Sequence, residues 1–318
     1  MGCWGRGIID DLQTFASRHK WSMVYERQNC KLRAGLQSGN RNLSSGTTIE
    51  GRSGMTQSAI IHFAHANGFP SGTYSKMLSL LQRQYAVVAI EKLGHNPRYP
   101  VDDNWQSLVK ELTDHIESSA EKPVVGVGHS LGGILTFMAA YHKPQLFRQI
   151  IVLDPPLIYG PLILPAFLAK KLRLMDHTKV VSQTKKRRAQ WSNRQEAEDY
   201  FKRIPLFHRF DPDCLRDYIR YGTTSIETGV GLSFDVNIEA SIFRTVPHNM
   251  TCLRRRLGVP GALIVGENSP MAGGKLRPFG RRHGLHLDEF KDGTHLFPLE
   301  YPERTAVLVM ENIQKLET

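Results

Sequence analysis

The sequence predicts an α/β protein whose mostly parallel central sheet is covered by helices on both faces and interrupted by a helical cap. Three observations predict it. Short apolar runs rich in valine and isoleucine recur at 60–64, 85–90, 124–127, 149–153 and 261–266. Strands with no polar face are buried on both sides, which is the condition of a parallel sheet. Segments of helical spacing separate the early runs, as a crossover to a parallel neighbour requires. The alternation then stops from 157 to about 250 and resumes at Gly261, which marks an insertion between two sheet strands.

The elements follow in order. Strand 60–64 leads to the loop His65-Ala-Asn-Gly-Phe-Pro70, a helix over 74–83 and strand 85–90. Asp103 or Asn104 is placed to cap a helix on which Trp105, Leu108, Leu112 and Ile116 share one face. Strand 124–127 runs into a helix over 131–142 that stops before Pro144, and strand 149–153 ends at Asp154-Pro-Pro156. Residues 157–250 are basic and irregular, with helical spacing and no buried-strand pattern, and read as a helical cap. A further strand over 285–290 and a closing helix over 303–315 complete the sheet domain. Residues 1–54 lack this order, and the Gly, Ser, Thr, Asn and Arg content of 37–58 is that of a flexible extension. The expected organisation is an extension over 1–54, a core over 55–156 and 251–318, and the cap over 157–250.

Composition narrows the function classes. With 41% hydrophobic and 22% charged residues, the chain of 318 can fill a core, so wholesale disorder is excluded. It contains no eighteen-residue apolar run, so a membrane span is not expected, nor is a cleaved leader. The net charge of +11 raises nucleic acid as a partner. Its basic clusters are short, scattered and not interleaved with aromatics, so nucleic acid is not expected. Cys3, Cys30, Cys214 and Cys252 are far apart and without metal-like spacing, which suits free thiols in the cytoplasm. Nothing in the sequence calls for a cofactor or a metal.

The chemistry concentrates at Gly128-His-Ser-Leu-Gly132, the G-x-S-x-G pattern, set between a buried strand and a small-residue helix. A strand that turns at once into a helix forces the serine into a strained backbone, and glycines two residues away on each side remove the clashes. The hydroxyl then stands clear of the sheet beside helix N–H groups that favour negative charge.

With this elbow, the Asn67-Gly-Phe-Pro70 loop, Gly94-His95 after a strand, and Gly293-Thr-His-Leu-Phe-Pro298 near the end, the chain resembles the α/β-hydrolase superfamily over about 58–316. The resemblance implies a Ser-His-acid triad with Ser130 as nucleophile and His295 as base. The acid in many relatives follows the strand after the cap, but that position here is Ser269. Asp154, at the end of the strand after the serine's helix, is the expected acid, with Glu267 as the alternative. The oxyanion donors implied are the N–H groups of Leu131 and Phe69, and Asn67, Gly68 and His129 are candidate substrate contacts. Asn67 stands where the family places a histidine. A serine nucleophile implies acyl chemistry on a small-molecule ester or acyl substrate, and excludes relatives that use a carboxylate there. Carboxylic ester hydrolysis is the first expectation; thioesterase, lactonase and acyltransferase chemistry use the same triad. A silent binding protein is the rival, because of Ser269. The apolar segment 157–168 is read either as an acyl pocket or as cap core.

Overall fold

A computed structural model of the protein describes residues 59–121, 123–271 and 276–317. The extension expected over 1–54 lies outside the described residues. The first half of the core contains β1 (Ile60–Ala64), α1 (Ser75–Leu81), β2 (Ala86–Ala89), α2 (Gln106–Ser119), β3 (Val124–His129), α3 (Leu131–His142) and β4 (Phe147–Leu153). The insertion contains α4 (Ile163–Lys171), α5 (Lys179–Lys186), β5 (Gln190–Trp191), α6 (Arg194–Lys202), α7 (Pro212–Gly222), β6 (Thr223–Ile226), β7 (Gly229–Leu232) and α8 (Val236–Arg244). The core resumes with β8 (Gly261–Gly266), α9 (Leu276–His283), β9 (His286–Phe290), the short α10 (Phe297–Glu300) and α11 (Pro302–Lys315).

The six core strands form one sheet in the order β2-β1-β3-β4-β8-β9, and every pairing in it is parallel. Alternate residues supply two cores. Ile61, Phe63, Val125, Val127, Ile151 and Ile264 pack with Met77 and Leu81 of α1 and Val309 and Ile313 of α11. Ala64, Val124, Ile150, Val152 and Leu263 pack on the other face with Leu108 and Leu112 of α2, Leu135 of α3 and Phe279 of α9. Leu108, Leu112 and Ile116 are fully buried, so shortening any of them to alanine costs roughly 2–5 kcal/mol. The fold places the carboxyl ends of β1, β3, β4 and β8 side by side. That edge of an open parallel sheet is where ligands bind.

Two expectations need correction. The insertion is not wholly helical: β5, β7 and β6 form a three-stranded antiparallel sheet in that order. Ile226 pairs with Gly229 across a two-residue turn, where Gly229 has φ +135°. Thr224 and Ser225 are exposed, so these strands never needed the continuous apolar run that identified the others. The start of α2 also differs. Asn104 and Trp105 are both left-handed, with φ 61° and 59°, the N-cap position is Trp105, and the Asp102 carboxylate accepts the Ser107 N–H at 2.9 Å. Burial of Trp105, at 2% exposure with its indole N–H on the Ile242 carbonyl, sets that bend. Among the described residues no helix is long and apolar enough to cross a membrane.

Candidate active site

Ser130 occupies the bend between β3 and α3 with φ 53° and ψ −116°, a region that side-chain-bearing residues rarely visit. The neighbouring backbone makes the flanking glycines obligatory. A Cβ on Gly132 would stand 2.1 Å from the Ala64 carbonyl oxygen, and one on Gly128 2.3 Å from that of Gly132. The Ser130 N–H donates to Leu153 and the Gly132 N–H to His65, so the bend is stitched to both neighbouring strands. The Leu131 N–H between them is the first of α3. It has no acceptor among the described residues, as helix starts leave their first donors unfilled.

His295 lies in the loop after β9. Its Nε2 is 3.0 Å from Ser130 Oγ and its Nδ1 2.6 Å from Asp154 Oδ2. Nδ1 therefore carries the proton and donates to the carboxylate, while Nε2 is the acceptor for the serine hydroxyl. Asp154 is fully buried directly after β4, with φ 44°. Its other oxygen accepts the Gly266 N–H at 2.9 Å. Glu267 does not reach His295; its carboxylate accepts the Asp292 N–H at 2.8 Å. The loop that carries His295 is clamped on both sides. The Asn268 N–H donates to the Gly293 carbonyl, and Glu300 accepts from the Thr294 hydroxyl at 2.6 Å and from Arg209 of the insertion at 3.1 Å. Gly266 allows the approach, since a Cβ there would lie 2.6 Å from the carbonyl oxygens of Gly293 and Thr294.

The loop 65–70 departs from expectation. The Phe69 N–H, expected in the oxyanion hole, donates to the Ala66 carbonyl at 3.1 Å and is spent in that turn. The Asn67 N–H has no acceptor among the described residues, and Ala66 and Asn67 line the cavity beside Ser130. The Asn67 side chain donates to the Glu239 carbonyl of α8 at 3.0 Å, which ties the loop to the insertion. Gly68 does not line that cavity. It has φ +77°, and a Cβ on it would lie 2.7 Å from Glu239 Oε1, so its small size makes room for the insertion. The Glu239 carboxylate is buried and paired with Arg187.

His129 does not line the cavity either. It is fully buried, with Nε2 at 2.8 Å from the His295 carbonyl and Nδ1 at 2.7 Å from the Tyr74 hydroxyl. The carbonyl can only accept, so Nε2 is protonated and Tyr74 donates to Nδ1. Burial holds this imidazole neutral, its pKa pushed down to about 3. The Tyr74 hydroxyl in turn accepts the Ala66 N–H at 3.3 Å. Tyr74 had no signal in the sequence beyond its place in an amphipathic helix.

The cavity over Ser130 measures about 620 Å³, within the range of small-molecule sites. Phe69, Pro205, Leu206, Phe243, Pro270 and Leu296 give it an apolar wall, and Arg209, Glu267, Asn268 and Glu300 a polar one. The apolar segment 157–168 lines none of it. Leu157, Ile158, Leu162 and Ala166 are buried with the α2 and α3 side of the core, so this segment is packing. Among the described residues, no group of three His, Cys, Asp or Glu stands where it would hold a metal.

Comparison with known proteins agrees with this architecture. A family model described as the alpha/beta hydrolase family matches residues 63–308. Monoglyceride lipase of Rattus norvegicus is 30% identical over 115 residues, which are 33% of this chain and 38% of that protein. The type I acyl-CoA thioesterase mpaH of Penicillium brevicompactum is 29% identical over 125 residues, which are 38% of this chain and 27% of that protein. The matched region thus spans well under half the length of either relative. The crystal structure of E-2-(acetamidomethylene)succinate hydrolase superimposes with a TM-score of 0.65 at 19% identity, over 80% of this chain and 91% of that one; this likeness concerns the fold. Matched through both halves of the sheet and the insertion between them, the chain belongs to the alpha/beta hydrolase family.

Proposed function

We propose that the protein is a serine hydrolase of carboxylic esters that works through an acyl-enzyme. One observation carries the reading: a single imidazole bridges a strained serine at 3.0 Å and a buried carboxylate at 2.6 Å. A serine hydroxyl is a weak nucleophile near neutral pH and needs a base within hydrogen-bond reach. His295 Nε2 removes the Ser130 proton as Oγ attacks the ester carbonyl. Asp154 holds the Nδ1–H tautomer and stabilises the imidazolium. The tetrahedral oxyanion is met by the Leu131 N–H at the start of α3 and by the Asn67 N–H; each such donor is worth about 10²–10³ in rate. The imidazolium then returns its proton to the leaving alcohol, the C–O bond breaks, and water repeats the sequence on the acyl-enzyme.

The acyl group lies against Phe69, Leu206, Phe243 and Leu296, with the leaving group toward Arg209, Glu267 and Asn268. The silent-binding alternative rested on Ser269; a carboxylate 2.6 Å from His295 supports the catalytic reading over it. Similarity to an acyl-CoA thioesterase over 125 residues keeps thioesters as the second reading. We place the protein in the cytoplasm, on the wide spacing of its cysteines and the free, buried thiol of Cys214.

A fluorophosphonate probe tests the reading. Labelling of the wild type that vanishes in Ser130→Ala is expected, and an unlabelled wild type overturns it. A panel of p-nitrophenyl esters and acyl thioesters of graded length then decides between the two substrate classes.

A further inference from the structure

One residue of the insertion meets the loop 65–70 twice. The main-chain carbonyl of Glu239, on α8, accepts from Asn67 Nδ2 at 3.0 Å, and its Oε1 lies 2.7 Å from where a Cβ on Gly68 would stand. A carbonyl can only accept, so the amide nitrogen of Asn67 must face it and that side chain has one orientation. Glu239 is held in turn. It is 1% exposed, and Arg187, the residue after α5, donates to both of its carboxylate oxygens, Nη1 to Oε1 at 3.3 Å and Nη2 to Oε2. The Arg187 guanidinium lies over the Phe234 ring, 5.2 Å from its centre. Ala240 and Phe243 of α8 pack with Val180 and Val181 of α5, so an apolar contact and an ion pair both join these helices.

We propose that the Asn67 side chain and Glu239 are positioning groups, by which the insertion holds the Asn67 main-chain N–H where the oxyanion forms. The inference rests on the oxyanion role given to that N–H above. The donor sits in a loop beside a glycine at φ +77°, so no helix or strand sets its direction. Asn67 is therefore used at both ends: its side chain is tied to α8 and its main chain is left for the substrate. A donor aimed in advance needs no reorganisation as charge develops. The ion pair keeps the anchor still. Replacing a buried pair by apolar groups is often neutral for stability, so the pair's value at this contact lies in geometry. The ester ground state carries no oxyanion, so loosening the tie lowers kcat and leaves KM nearly unchanged.

The test is kcat and KM for a p-nitrophenyl acyl ester on the full chain, with Ser130→Ala as the blank. Beside them stands the Ki of a trifluoromethyl ketone, which adds the Ser130 oxygen to its carbonyl and so carries the tetrahedral oxyanion. Asn67→Leu keeps the bulk of the side chain and loses its donor. It is expected to lower kcat about tenfold to a hundredfold, short of losing a whole oxyanion donor, with KM within about threefold. The Ki is expected to rise by the factor that kcat/KM loses. Glu239→Ala frees the anchor and is expected to lower kcat about tenfold; Glu239→Gln, which still accepts from Arg187, restores most of it. An Asn67→Leu enzyme with unchanged kcat overturns the proposal, and so does a Ki that follows KM instead of kcat/KM. A Glu239→Ala protein that melts like the wild type and keeps its kcat overturns the part given to Glu239; if that variant does not fold, Asn67→Leu and Glu239→Gln decide. A wild type without Ser130-dependent turnover overturns the ester-hydrolase reading instead. The Asn67 main-chain N–H resonance is read without substrate and still tests the tie: it is expected sharp in the wild type and Glu239→Gln, and broadened in Glu239→Ala.

Discussion

The imidazole of His129 gives its Nε2–H to the main-chain carbonyl of His295 at 2.8 Å. The residue beside Ser130 thereby holds the loop that carries His295. The same ring accepts from Tyr74, whose oxygen accepts from Ala66, so one buried chain of hydrogen bonds joins the loop 65–70, the elbow and the loop after β9. The three parts of the site come from distant sequence, and this chain fixes their spacing. His129→Phe is expected to lower kcat about tenfold to a hundredfold, because small displacements of a base are costly. Tyr74→Phe leaves Nδ1 buried without a donor and is expected to cost about 1–3 kcal/mol, read as a fall in urea midpoint.

Asp154 and Glu267 both end strands near His295, but only one touches it. Asp154→Asn is expected to lose about 10⁴ in kcat, since the amide favours the wrong imidazole tautomer. Glu267→Gln keeps an oxygen that accepts the Asp292 N–H, and its kcat is expected to stay within about threefold, in line with the small effects typical of surface substitutions. Equal activity in the two variants would contradict the assignment of the acid.

The parallel sheet was legible because strands buried on both faces leave a continuous apolar signal. The elbow was legible because its glycines answer a steric demand that can be stated without coordinates. The cap sheet was not: the half-exposed β6 and β7, rich in Thr and Gly, carry no such signal. The role of Phe69 was misread because a motif gives residue order and not which N–H a turn consumes. The loop here spends the Phe69 donor on Ala66 and leaves that of Asn67 open. Ser269 read as a lost acid, whereas in three dimensions its hydroxyl donates to Asp154, the carboxylate that reaches His295. Contacts between side chains on separate strand ends are set by register, and single-chain patterns do not encode that.

Gly132→Ala tests the elbow as a mechanical part. The atom in the way is the Ala64 main-chain oxygen, so no rotamer change relieves the clash and β1 or α3 must move. A loss of about 3 kcal/mol is expected, together with loss of fluorophosphonate labelling even where the protein remains folded, because the Leu131 N–H, a proposed oxyanion donor, moves with α3. By contrast Gly160→Ala, which meets nothing within 4 Å and is strained only through its φ of +67°, is expected to leave labelling unchanged.

Stability against pH has a sign fixed by burial. His62, His65 and His129 are buried, and burial pushes their pKa values from 6.5 to about 3, 4 and 3. The unfolded chain protonates all of these below about pH 6.5, while the folded protein refuses the protons until about pH 3–4. The stability they contribute is complete above pH 6.5 and falls as the pH drops. Glu111 works in the opposite direction: burial raises its pKa from 4.5 to about 7, against the lowering pull of the hydrogen bond it accepts from the Gly94 N–H. Its contribution is complete below pH 4.5 and is lost as the pH rises through 7. Between pH 6 and 5 these four groups alone leave the unfolded state with about two protons more than the folded one, a fall of roughly 3 kcal/mol per pH unit, and His248, lowered to about 4, acts in the same direction. Urea unfolding at pH 8, 7, 6 and 5 reads this slope. Glu111→Gln is expected to steepen the acid fall and to be more stable than the wild type at pH 8, where the wild type buries a charge. His62→Gln is expected to flatten the fall by about one proton. A slope that is the same in all of these proteins would mean that the buried imidazoles do not govern acid unfolding.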